Sequence, residues 1–272
     1  MIKFYQTQVI KKSVYILFLG LLFALVPQKG AIAQGAGNTL SFDGTNEYVA
    51  ITQNSGLPIF NNETNGNQYT VEFWVRGASG QSQARIFSEG NSSNDVPLFN
   101  ILTGRTEDTA TDRLDLYIRS DTQVLLDHTF SSRTVFDANW HHVAWSDDSG
   151  SGKLYIDGIE DDNSIGGSFN YNRSSSSSLN TTSLAALVRT SISNWFHGQI
   201  DELRIWSVIR TQSEIRDNMC RKLTGSEFNL VAYYRFDATS GSSLSDATGN
   251  INTGTRLAVK RRRFWSFTKT VV

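Results

Sequence analysis

From Asn38 onward the chain is a series of short runs in which apolar and polar residues alternate, each closed by glycine, asparagine, aspartate or serine. Side chains change face with every residue along a strand, so this period of two marks half-buried β-strands. Residues 69–75 (YTVEFWV) are the clearest case. Tyr69, Val71, Phe73 and Val75 take one face, while Thr70, Glu72 and Trp74 take the other. Further on, Leu114, Leu116 and Ile118 alternate with Asp115, Tyr117 and Arg119. Asp157-Gly158 between apolar residues predicts a hairpin, because a type I′ turn needs positive φ at both central positions. Thr211 with Glu214 is a capping box and predicts one short helix ending near Met219. About a dozen short strands and one short helix predict an all-β fold, a two-sheet antiparallel sandwich.

Residues 195–206 (WFHGQIDELRIW) contain a change of parity. Phe196, Gly198 and Ile200 share one face, yet the next inward candidates are Leu203 and Ile205. Two apolar runs of opposite parity need one extra residue between them, which predicts a β-bulge near Asp201-Glu202.

Residues 1–33 read as a cleaved signal peptide. Lys3, Lys11 and Lys12 precede the apolar residues 14–26, and Ala31-Ile32-Ala33 forms the cleavage site. The apolar run is shorter than the ~20 residues a membrane span needs, so no membrane insertion is expected after cleavage. The mature chain is therefore expected to be secreted or at the cell surface. Cys220 is the only cysteine, so no internal disulfide forms. A net charge of −1 over 272 residues gives no electrostatic reason to expect nucleic acid as a partner.

The ordered motifs LSFDGTNEYV, YTVEFWV, WHHVAW, KLYIDG and HGQIDELRIW resemble the concanavalin A-like, laminin-G-like jelly-roll domain of bacterial secreted and surface proteins. The resemblance runs over about residues 38–217, and the following helix and strand extend the expected domain to 38–236. It implies a jelly-roll sandwich that binds carbohydrate or an extracellular protein, often with calcium. Such a module would act in adhesion or glycan attachment at the cell surface, within a larger multidomain protein. The alternatives are a glycoside hydrolase and a purely structural spacer.

The residues weigh these alternatives unequally. Hydrolysis needs two carboxyls ~5–9 Å apart across one sugar, and the Glu-x-Asp-x-x-Glu strand of catalytic relatives is absent here. Adjacent strand residues face opposite ways, so His141 and His142 do not share one ligand. For glycan stacking, the candidates are Trp74, Tyr117, Tyr155 and Trp206, which occupy the non-core parity of their strands. For calcium, an ion of six to eight oxygen ligands, the candidates are Asp43 in its glycine turn and Asp201 at the bulge. These two would meet if the first and last strands of the domain are neighbours.

Residues 237–272 read as a turn-rich end followed by a basic tail with Lys260-Arg261-Arg262-Arg263 in a row. Its composition matches nothing before it. Residues from about Thr255 are therefore expected to be disordered, truncated relative to the family and dispensable for stability.

Overall fold

The computed structural model describes residues 38–51, 57–60, 67–162, 164–173, 178–238 and 240–258. The signal-peptide segment and the basic run 260–263 lie outside the described residues.

In chain order the strands are β1 (Leu40–Asp43), β2 (Glu47–Ile51), β3 (Gln68–Gly77), β4 (Arg85–Asn91), β5 (Asn94–Thr103) and β6 (Arg113–Arg119). They continue as β7 (Val124–Thr134), β8 (Trp140–Asp148), β9 (Ser151–Ile156), β10 (Ile159–Glu160), β11 (Thr181–Leu184), β12 (Leu187–Val188) and β13 (Ile192–Ser193). Then come β14 (His197–Trp206), the helix α1 (Gln212–Asn218), β15 (Leu230–Tyr234), β16 (Ser243–Leu244) and β17 (Gly254–Ala258). A seven-stranded sheet has the order β1-β14-β3-β8-β9-β10, with β15 also paired to β14. An eight-stranded sheet has the order β16-β17-β2-β11-β4-β5-β6-β7, and β12-β13 is a separate small hairpin. The described pairings are antiparallel, so the architecture is the expected two-sheet jelly-roll sandwich.

The core is built from the inward parity of both sheets. Tyr69, Val71, Phe73 and Val75 of β3 face Phe87, Phe99, Ile101, Leu116 and Ile118 within one apolar cluster. Each such side chain contributes roughly 1.5–3 kcal/mol on burial. The bulge in β14 lies where the parity change places it. Asp201 pairs with Trp74 and Arg204 with Glu72, so three steps on β14 match two on β3. Glu202, the extra residue, has φ +53°. Ile200, Leu203 and Ile205 thereby all reach the core. The bulge also divides the other edge of β14. Residues before it pair with β1, and residues after it pair with β15.

Asp157 (φ +53°) and Gly158 (φ +72°) close the hairpin between β9 and β10. Helix α1 begins at the capping box, with Thr211 accepting from Glu214 N and Glu214 reaching back. It lies on the outer face of the seven-stranded sheet, where Ile215 packs with Ala144 and Tyr155.

The C-terminal end departs from expectation. Residues 254–258 are not a loose tail but strand β17, paired with β2 along Gly254↔Ile51 to Ala258↔Glu47. Arg256 is 5% exposed. Its Nη2 donates to the Ser41 carbonyl and lies 3.4 Å from Glu47 Oε2. A ladder with unfilled pairing on β2 recruits this segment more strongly than its own weak alternation suggests. Truncation before Thr255 is therefore expected to lower stability well beyond the ~0.5 kcal/mol of neutral surface changes. An unchanged urea midpoint for the truncated chain would show that β17 is dispensable.

Candidate functional site

Three of the four aromatic candidates are closed to solvent. Trp74 is 1% exposed, Trp206 2% and Tyr155 3%. Their outward parity is as expected, but α1 and the segment after it cover that face. Trp74 Nε1 donates to the Met219 carbonyl at the helix end (2.8 Å), and its ring meets His142 edge-on at 5.4 Å. Trp206 Nε1 donates to Glu72 Oε1 (2.9 Å), and the Arg210 guanidinium lies 4.1 Å from the Trp206 ring centroid. The expectation that these rings present open faces is thus corrected: an added layer occupies them.

Beneath that layer is a buried polar cluster. Arg204 lies 3.6 Å from Glu72 and 2.9 Å from Glu202, and it donates to the carbonyl of Asn218 (2.9 Å). Tyr233 donates its hydroxyl to Glu202 (2.5 Å). His142 Nε2 is 3.7 Å from Glu72. Burial, aided by the charge of Arg204, holds His142 well below the usual imidazole range, so it packs neutral. His141, on the opposite parity, is half-buried. Burial opposes its charge, but the carboxylates of Asp157 and Asp137 outweigh that and raise its pKa.

The acid pair Asp43 and Asp201 does not share a site. Strands β1 and β14 are neighbours as anticipated, but the register sets Asp43 against His197. Asp201 lies four residues further along, about 13 Å at ~3.3 Å per residue. Asp43 instead caps its own turn, with Oδ1 accepting from Thr45 N (2.8 Å) and Asn46 N (3.3 Å). Asp201 is 1% exposed and accepts from Glu202 N at the bulge (3.0 Å). Among the described residues no cluster of three or more His, Cys, Asp or Glu is placed to hold a metal ion. The two acids do not fit as a calcium pair.

The fourth aromatic, Tyr117, lies elsewhere and in different company. It is half-buried on the outer face of the eight-stranded sheet, away from the core. Register aligns Ser88 with Asn100 and Asn100 with Tyr117 across β4, β5 and β6. One row along, Arg85 aligns with Leu102 and Leu102 with Asp115. On the other side Leu98 aligns with Arg119. From β7, His128 lies against Tyr117 with ring centroids 4.8 Å apart, and its Nδ1 is 2.7 Å from Asp115 Oδ2.

The β12-β13 hairpin borders this face. Ser183 Oγ donates to the Ala186 carbonyl (2.9 Å), which holds the approach to the hairpin down. At Gly90 a Cβ would lie 2.8 Å from the Val188 carbonyl, so only glycine lets the hairpin seat there. Arg189 follows, with Cγ 3.9 Å from that Cβ position and Nε 3.7 Å from Asp95 Oδ1.

The face is polar although it is buried. Asn100, Asp115, Ser88 and Ser183 are at most 1% exposed, and Arg85 is 6% exposed. Ser88 Oγ donates to Asn100 Oδ1 (2.7 Å). Asn100 Nδ2, Arg85 Nε, Asp115 Oδ1, Arg119 Nε and Arg189 Nε have no hydrogen-bond partner among the described residues. These five atoms are themselves closed to solvent, so the groups of this face that a solute meets are the half-buried side chains of Tyr117, Arg119 and Arg189. Burial lowers the Arg85 guanidinium to about 10, still cationic at neutral pH. Burial raises Asp115 to about 6 against the opposing hydrogen bond of His128. Chemically, the arrangement is a set of donors and one acceptor beside a partly open tyrosine ring.

The sequence signal for Tyr117 was its non-core parity, shared by Asp115 and Arg119. Asn100 carries the same signal in β5. Arg85 was hidden by the irregular register between it and Phe87, and Arg189 by its place in a connection far along the chain.

Comparisons agree with this architecture. The sequence model of the concanavalin A-like lectin/glucanases superfamily matches residues 43–216. A Bacteroides ovatus protein provisionally assigned as carbohydrate-binding superposes with TM-score 0.55 at 18% identity, over 81% of this chain. The chain spans 58% of the length of that structure. The CBM40 domain of a Ruminococcus gnavus IT-sialidase, bound to α2,3-sialyllactose, gives 0.49 at 14% identity, over 66% of this chain and 95% of its own. Domain 4 of an extracellular arabinanase from Geobacillus stearothermophilus, in complex with arabinotriose, gives 0.48 at 21%, over 70% and 80%. At these identities the likeness is one of fold. No curated protein sequence matches the chain. Because the family match covers well over half of the residues and the two-sheet topology accords with it, the chain belongs to the concanavalin A-like lectin/glucanases superfamily.

Proposed function

We propose that this chain is a carbohydrate-binding module whose ligand sits on the outer face of the eight-stranded sheet, beside the β12-β13 hairpin. The observation that carries the reading is the half-buried ring of Tyr117, set against His128 and backed by the buried polar row of Ser88 and Asn100, with the half-buried donors Arg119 and Arg189 at the same face. Sugar hydroxyls supply acceptors to such donors, and an amphipathic ring covers the C–H face of a pyranose. Export to the cell surface, a role in adhesion or glycan attachment, and a place in a larger protein belong to the same reading. Among the described residues no helix is long and apolar enough to cross a membrane.

The module is read as non-catalytic. Hydrolysis needs two carboxyls facing each other across a sugar. On this face Asp115 is tied to His128, while Asp95, 65% exposed, lies with Arg189. On the other sheet Glu72 is enclosed by Arg204, His142 and Trp206.

The test is a glycan array with the folded domain, followed by Tyr117→Ala and a reducing-sugar assay. Binding is expected to weaken at least ~tenfold, about 1.4 kcal/mol, with no sugar released by either protein. Equal binding by the variant would move the site elsewhere, and steady sugar release would make the chain an enzyme.

A further inference from the structure

The charge on this face is unbalanced. Arg85 of β4 and Arg119 of β6 stand on the same face on either side of β5, against Leu102 and Leu98 respectively, and Arg189 enters from the hairpin across Gly90. Among the described residues neither Arg85 nor Arg119 has a carboxylate within salt-bridge distance. Asp115 makes its close contact with His128, 2.7 Å away. Asp95 lies 3.7 Å from Arg189 and is mostly in solvent. Arg119, half-buried beside Tyr117 and without an anion, is placed to take one from a ligand. Its rigid fork of donors matches a planar carboxylate bidentately.

We infer that the ligand of this face is an acidic saccharide, its carboxylate taken by the half-buried guanidiniums of Arg119 and Arg189 that flank Leu98 while its ring lies toward Tyr117. The inference rests on the carbohydrate-binding reading above and narrows it. Arg119 and Arg189 are the two arginines that a solute reaches, being half-buried where Arg85 is nearly closed. The shared chemistry is a carboxylate on a sugar ring, supplied either by uronic acids or by sialic acids.

Titration calorimetry of the wild-type chain decides the matter. The probes are oligogalacturonate and sialyllactose, each beside its methyl ester, and lactose as a neutral control. At least one free acid is expected to bind about tenfold or more tightly than its ester, with affinity falling as salt rises. Arg119→Gln and Arg189→Gln should each remove most of that preference while the melting temperature stays within a degree or two of the parent. Equal binding of acid and ester overturns the acidic-ligand inference and leaves the carbohydrate-binding reading standing. Binding to none of the saccharides by correctly folded protein overturns both.

Discussion

Replacing Glu72 by alanine is expected to destabilise the fold by about 3–5 kcal/mol, the usual cost of removing one partner from a buried ion pair. Glu72 is fully buried and holds three groups at once. Its Oε1 accepts from Trp206 Nε1 at 2.9 Å, and Arg204 and His142 lie within 3.7 Å. Glu202 still faces Arg204 in the variant, but the strand-to-strand link through β3 is lost. Trp206 Nε1 would then be buried without its acceptor, and Arg204 would keep Glu202 alone of its two carboxylates. Glu72→Gln should cost less, since the amide oxygen still accepts from Trp206. Urea unfolding at unchanged m separates these outcomes. A loss below ~1 kcal/mol for the alanine variant would contradict the account of this cluster, given that neutral surface changes scatter by ~0.5 kcal/mol.

Trp74→Ala is expected to cost a similar amount, about 3–5 kcal/mol, as large-to-small changes of buried aromatics do. Trp74 is 1% exposed and ties the sheet to the helix end through the Met219 carbonyl. The variant leaves a cavity between β3 and α1 and an unsatisfied helix carbonyl. If the covered face is structural, the fraction of Trp74→Ala that remains folded binds glycan as the parent does. Thermal unfolding and binding, measured on the same sample, check both halves. Loss of binding without loss of stability would return Trp74 to the ligand site.

These two residues also show where sequence reading stops. The parity of YTVEFWV places Glu72 and Trp74 on the non-core face, and the structure agrees. Parity says nothing about what lies over that face. The cover is made by α1, whose own capping box was legible at Thr211 and Glu214 but whose docking surface is a tertiary property. The bulge at Glu202 was legible because the inward residues Ile200 and Leu203 cannot both face the core without it. For Asp43 and Asp201 the neighbouring of β1 and β14 was anticipated, yet the register that separates the acids depends on turn geometry and packing around both strands. Tyr117 was named from alternation alone. Its partners Arg85, Asn100 and Arg189 come from three other segments, brought together by the sheet order and by the hairpin seated over Gly90. Strand β17 was missed because its pairing energy resides in β2, not in its own five residues.

The most direct test of the central claim is a crystal structure of the chain with the tightest-binding glycan of the panel. The account predicts a sugar on the outer face of the eight-stranded sheet, its ring against Tyr117. Its oxygens should lie within about 3.2 Å, hydrogen-bond distance, of the Arg119 or Arg189 guanidinium. A sugar seated on the helix-bearing face beside Trp206, or at the turn of Asp43, with the Tyr117 face empty, would contradict it.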